Sequence, residues 1–183
     1  MTLTIRRFAF ASLAAMAVAA CGGGDTVEAE NESVESVNKK IAAADLKPNP
    51  GRWESTMTFD KIEMPGMPAE MQEMMKSQMG KATTTSSCLT QEQVDANDGE
   101  MFKPGDTPGC TYNKFSMGNG TIEADMTCSE GGTAQNMKMA GSYSEDAYDM
   151  TINADGKVEG QPMSMQMSIK SKRVGDCTGN EES

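Results

Sequence analysis

Thiols and thioethers carry most of the chemistry open to this chain, which has five cysteines and 18 methionines in 183 residues and no histidine. Cys21 closes an apolar run behind Val18, Ala19 and Ala20, the arrangement at which a bacterial lipoprotein leader is cut and the new terminal cysteine is acylated. Arg6 and Arg7 supply the positive start of such a leader, and residues 8–20 are apolar but too few to span a bilayer. Acylation of the Cys21 sulfur and of its freed amine buries more than one chain, at about 0.8 kcal/mol per methylene, so attachment is stable. Gly22 follows the cysteine where an aspartate would favour the inner membrane, which points to the periplasmic side of the outer membrane. The other four cysteines, Cys88, Cys110, Cys128 and Cys177, are even in number and lack a C-x-x-C pair. In an oxidising compartment they read as two disulfides, not as a thiolate metal site.

The methionines admit two readings. Thioethers are soft ligands suited to Cu(I), and Met64, Met67, Met71 and Met74 are spaced so that several sulfurs could meet one ion. Methionine is also unbranched apolar volume that repacks easily. Met67, Met71, Met74, Met75 and Met79 fall on one face of a helix, opposite Ala69, Glu70, Glu73 and Ser77, and so could form a core face or an adaptable lid over an apolar ligand. The apolar reading is preferred and no metal is assigned; Cu(I) is the alternative cofactor.

Catalysis is not expected. Without histidine the chain lacks the usual acid/base group and the partner of a nucleophilic serine or cysteine. No G-x-S-x-G, P-loop or dinucleotide fingerprint is present. Asp146 and Asp149 could be paired for glycoside chemistry, but the acids fall mainly on turns and polar strand faces. A net charge of −11 repels nucleic acid, so the expected partners are the membrane, through the anchor, and an apolar ligand or envelope protein.

Residues 1–20 are read as the leader and 21–49 as a tether: three glycines, an acidic stretch, then Val34, Val37, Ile41 and Ala44 at helical spacing, a short helix within Ser33–Leu46 ended before Pro48. Fully extended, the tether would reach about 90 Å. The folded domain is placed at 50–178, with a disordered tail over 179–183. A strand is expected over 52–60, the methionine helix over 67–79, a strand over 83–89 and a helical turn over 90–94 capped by Thr90. Beyond Gly109 apolar residues alternate at period two: Ile122, Ala124, Met126 and Cys128; Met137 and Met139; Tyr148, Met150 and Ile152; Met163, Met165, Met167 and Ile169. Turns are expected at 118–120, 144–146 and Asp155-Gly156, giving antiparallel hairpins.

The first hairpin poses a register choice. A three-residue loop at 118–120 sets Cys110 opposite Cys128, whereas a tight Asn119-Gly120 turn sets Phe115 opposite Ala124 and Met117 opposite Ile122 but moves Cys110 off by one. A Cys110–Cys128 bridge is favoured, with a bulge to reconcile the two, leaving Cys88–Cys177 to tie the early strand to the last.

The ordered set Pro50-Gly51-Arg52-Trp53, Met64-Pro65-Gly66-Met67-Pro68, Cys88-Leu89-Thr90, Met101-Phe102, Gly109-Cys110-Thr111-Tyr112, Met126-Thr127-Cys128, Gly141-Ser142-Tyr143 and Arg173-Val174-Gly175-Asp176-Cys177 resembles the DUF3617 family, an uncharacterised envelope domain. The resemblance implies a secreted or lipid-anchored antiparallel β protein with its four cysteines paired, and it carries no catalytic residues. Gly51-x-Trp53 is also similar to the opening of a lipocalin-type barrel, so a closed barrel is the alternative. The expected class is α+β, mainly β: a strongly curved antiparallel sheet, open or a partial barrel, with the methionine helix packed on it and two disulfides.

Overall fold

The computed structural model describes residues 26–44, 46–96, 109–130, 133–158, 160–179 and 181. Residues 1–20, where a leader is expected, Cys21 and Met101-Phe102 lie outside them. The elements run β1 (Val27–Ser33), α1 (Val34–Ala43), β2 (Gly51–Glu63), α2 (Ala69–Met79), β3 (Thr83–Leu89), α3 (Gln91–Ala96), β4 (Cys110–Gly118), β5 (Thr121–Glu130), β6 (Thr133–Tyr143), β7 (Ala147–Val158) and β8 (Gln161–Gly175). All strand pairings are antiparallel, in one eight-stranded sheet of order β1-β4-β5-β6-β7-β8-β2-β3. The sheet is open, with β1 and β3 at its edges, which settles the choice against a closed barrel.

Residues 27–43 correct the tether reading. Val27 and Ala29 are buried, β1 pairs with β4, and α1 lies across β1 and β4 with Val37 and Ile41 inside. Alternating glutamates gave this segment the composition of a solvated tail, yet the same alternation makes an edge strand with one apolar face. The helix itself forms as its spacing predicts. Ser33 caps it by accepting from the Ser36 amide at 3.2 Å, and Val34 and Ala44 join the core from its flanks.

Asn31 has a positive φ of 52° and stands across from Asn113, the extra residue of β4. Asparagine tolerates that conformation. The paired irregularity changes the phase of both strands together, so Glu32 turns toward α1 while Glu28 and Glu30 stay exposed. Its carboxylate accepts from Lys40 Nζ at 2.5 Å and Ser36 Oγ at 2.7 Å, and Lys40 and Ser36 together hold it below the usual carboxylate range. A depressed folded value means that this latch is intact at neutral pH and lost as pH falls through that value. In an NMR carboxylate titration Glu32 is expected to have a lower midpoint than in the Lys40→Met variant; equal midpoints would contradict the latch.

The β4–β5 hairpin satisfies both register requirements. A tight Asn119-Gly120 turn pairs Met117 with Ile122 and Phe115 with Ala124, and a bulge at Asn113 then brings Cys110 opposite Cys128. Asn113 Nδ2 donates to Asp125 Oδ1 at 2.8 Å and Thr127 Oγ1 at 2.9 Å, securing the extra residue. The disulfides are Cys110–Cys128 and Cys88–Cys177. Thr90 and Gln93 cap α3 reciprocally, the Gln93 amide donating to Thr90 Oγ1 and the Thr90 amide to Gln93 Oε1.

Asp155-Gly156 is not a turn. Both residues continue the β7 ladder, Gly156 opposite Met163, and the chain reverses past Val158, where Gly160 takes φ 80°. At Gly156 a Cβ would come within 2.8 Å of the Gln135 side chain, so this glycine serves close strand approach and mimics a turn signal in the sequence.

Candidate functional site

Every apolar strand position identified by its period points to one face of the sheet. On the β1, β4 and β5 side that face is dry: Tyr112, Met117, Ile122 and Met126 are fully buried, with α1 over β1 and β4. Tyr112 meets Phe115 edge-on at 5.2 Å, and burial pushes the Tyr112 hydroxyl above the usual phenol value.

Farther across the sheet the same face changes character. Register places Met150, Ile169 and Met57 in one row, Ile152, Met167 and Phe59 in the next, and Ala154, Met165 and Ile62 in the third. Strands about 4.8 Å apart and same-face residues about 6.8 Å apart make this a strip of about 10 Å by about 14 Å between outer residues. Met150 and Ile62 are buried, Met57 is 39% exposed, and the other six are half-buried. Its polar border is the Ser55–Ser171 hydroxyl pair at 2.7 Å, continued by Thr85 on β3. This is an apolar, half-open surface in which four of the nine residues, Met57, Met150, Met165 and Met167, are adaptable thioether chains.

The helix methionines sit elsewhere. α2 packs against β2, and none of its residues is fully buried: Met71 is 50% and Met74 57% exposed, while Met67, Met75 and Met79 are half-buried. Short connections explain the placement. Met64–Pro68 and Gly80–Ala82 tether the helix at the end of β2, where β3 no longer pairs, and Gln72 Nε2 donates to Met64 O at 3.2 Å and Met67 O at 2.9 Å. The helix that covers the dry half of the sheet is thus α1, and the methionine helix flanks the half-open strip at β2. Met150, Ile152, Met165, Met167 and Ile169 were legible as alternating strand residues; the sequence did not reveal that Met57, Phe59 and Ile62 of β2 would join them, nor which half of the face α1 would cover.

The motif residues around Trp53 gather at the opposite end of β2 as a structural clamp. Gly51 has φ 144°, and a Cβ there would come within 2.4 Å of Gly175 O and 2.6 Å of Arg173 Nε. Arg173 Nε donates to Pro50 O at 2.7 Å, and its Nη2 donates to Asp176 Oδ1 at 2.9 Å. Trp53 Nε1 donates to Asn49 O at 3.1 Å, and its ring stacks on Tyr148 at 6.3 Å. Cys88 and Gly175 both neighbour Arg52, so the Cys88–Cys177 bridge spans the start of β2. These contacts give Gly51, Trp53, Cys88, Arg173, Asp176 and Cys177 of the ordered motif structural roles.

A protein-family model described as a protein of unknown function (DUF3617) matches residues 48–177. The chain belongs to the DUF3617 family. No curated protein matches it. In this DUF3617 protein, β1 and α1 precede the matched region yet complete its core.

The carboxylates weighed for hydrolysis have other partners. Asp146 Oδ1 accepts from Asn49 Nδ2 at 3.0 Å, and Asp149 pairs with Lys170 at 3.0 Å. Among the described residues no three carboxylates or thiols converge as a metal site, and no helix is long and apolar enough to cross a membrane.

Proposed function

We propose that this protein is a non-catalytic, lipid-anchored envelope module that holds an acyl chain on the methionine strip of β7, β8 and β2. The observation that carries this reading is the contrast along one continuous face, dry at Met117 and Met126 but half-open at Met57, Met165 and Met167. Unbranched thioether chains conform to a flexible apolar ligand without a preformed cavity. An acidic surface, in a chain of net charge −11, disfavours polyanionic partners.

Anchoring rests on the Cys21 reading, with the periplasmic side of the outer membrane as the proposed location. Because β1 begins at Val27, the link from Cys21 reaches only about 20 Å, not the length of a long tether. The end of the sheet bearing the Asn119-Gly120 turn then stays near the bilayer. α2 follows the other end of β2, at the opposite end of the strands from that turn.

A fluorescent fatty-acid analogue whose emission rises in apolar surroundings tests the ligand reading. Saturable binding is expected, weakened about tenfold or more by Met167→Lys, which places an unpaired charge in the strip. Glu123→Gln, remote from the strip, should bind as the parent does. Binding unaffected by Met167→Lys in a folded protein would exclude this surface.

A second reading is favoured by the exposure of Met71 and Met74, one helical turn apart, which leaves their thioethers open to a soft ion. Stoichiometric Cu(I) uptake against a colorimetric chelator, lost on replacing Met67, Met71 and Met74 by leucine, would support it; no uptake would end it.

A further inference from the structure

The two edges of the sheet are built differently. β1 carries Glu28, Glu30 and Glu32 and is kinked at Asn31, devices that discourage strand addition. β3, with the sequence TTTSSCL, has no charge, no proline and no bulge in its pairing with β2, and most of its residues are exposed. Among the described residues no strand pairs with its outer side. In a chain with 27 acidic residues, seven consecutive uncharged positions on a sheet edge form an unguarded template for another strand.

We infer that β3 is an interface for a second copy of this chain, joined antiparallel about a two-fold axis at Ser86. That register sets Thr83 opposite Leu89, Thr84 opposite Cys88 and Thr85 opposite Ser87. Each pair belongs to the same face of its sheet, so the two sheets continue as one. Charge complementarity selects this partner. Lys76 and Lys81 precede β3 while Glu92 and Asp95 follow it, and the two-fold brings the basic approach of one copy beside the acidic exit of the other. Glu70 and Glu73 lie at the far end of α2, away from this meeting. This interface is separate from acyl binding and can fail without it.

The test is cross-linking of the full chain in its membrane. Opposed residues on antiparallel strands have Cα atoms about 4.5–5.5 Å apart, within the span of a disulfide. Ser86→Cys is expected to give a covalent homodimer on a non-reducing gel, and Glu30→Cys on the other edge is not. Adding Thr85→Lys to Ser86→Cys should abolish the dimer, while tryptophan emission from Trp53 reports that the fold persists. No Ser86→Cys dimer, an equal dimer from Glu30→Cys, or cross-linking only to a different protein would each overturn the proposal.

Discussion

A chain beginning at residue 48, where the family match starts, is expected to lose cooperative folding. Val37 and Ile41 are fully buried and Val27 nearly so. Burial of each such side chain contributes about 1.5–3 kcal/mol. Their removal also strips cover from Tyr112, Met117 and Met126 and leaves β4 as an unpaired edge beside them. The combined loss approaches the whole stability of a typical domain, about 5–15 kcal/mol. Thermal melts followed by near-ultraviolet circular dichroism should show one transition for a chain beginning at Gly22 and none for one beginning at Pro48. A similar melt for both would show that β1 and α1 are dispensable. The single-residue version, Ile41→Ala, is expected to cost about 2–5 kcal/mol, through lost transfer energy and the cavity left behind.

The second large effect concerns the disulfide that spans β2. Cys88 and Cys177 are 89 residues apart, Cys110 and Cys128 only 18. In the chain-entropy account a cross-link restrains the unfolded chain more when its loop is longer, by about 4–5 kcal/mol near 100 residues and about 3 kcal/mol near 15. Replacing Cys88 and Cys177 together by serine should therefore cost more than replacing Cys110 and Cys128. It also frees the end of edge strand β3 from the segment after β8. Urea unfolding of the two double variants compares them directly; the reverse order would mean that packing of the buried Cys110–Cys128 pair outweighs chain entropy.

The sheet was the most legible part of the sequence, because period-two alternation from Ile122 to Ile169 has one physical interpretation on a half-buried ladder. The bulge in β4 was legible for a different reason. Two requirements one residue apart, a cystine and an apolar register, are reconciled by one extra residue, and Asn113 supplies it. Residues 27–33 were misread because composition and pattern disagreed there: glutamates dominate the composition, while Val27 and Ala29 reveal the strand only once β4 is beside them. The methionine helix was readable as a helix but not in position. Its connectors, more than its own weakly apolar face, keep it beside β2. For the candidate strip, Met150, Ile152, Met165, Met167 and Ile169 were visible, whereas Met57, Phe59 and Ile62 of β2 join them only through the β2–β8 register, and exposure depends on how far α1 reaches across the shared face.

Methionine methyl NMR offers the most direct test of the central claim, because methionines occupy both halves of that face, Met117 and Met126 on one and Met57, Met165 and Met167 on the other. The full chain, labelled at the methionine methyl carbon, would be titrated with a saturated fatty acid. Saturable shifts are expected at Met57, Met165 and Met167, with Met117 and Met126 unmoved under α1. No shift, or shifts confined to Met71 and Met74 on the exposed helix, would contradict that claim.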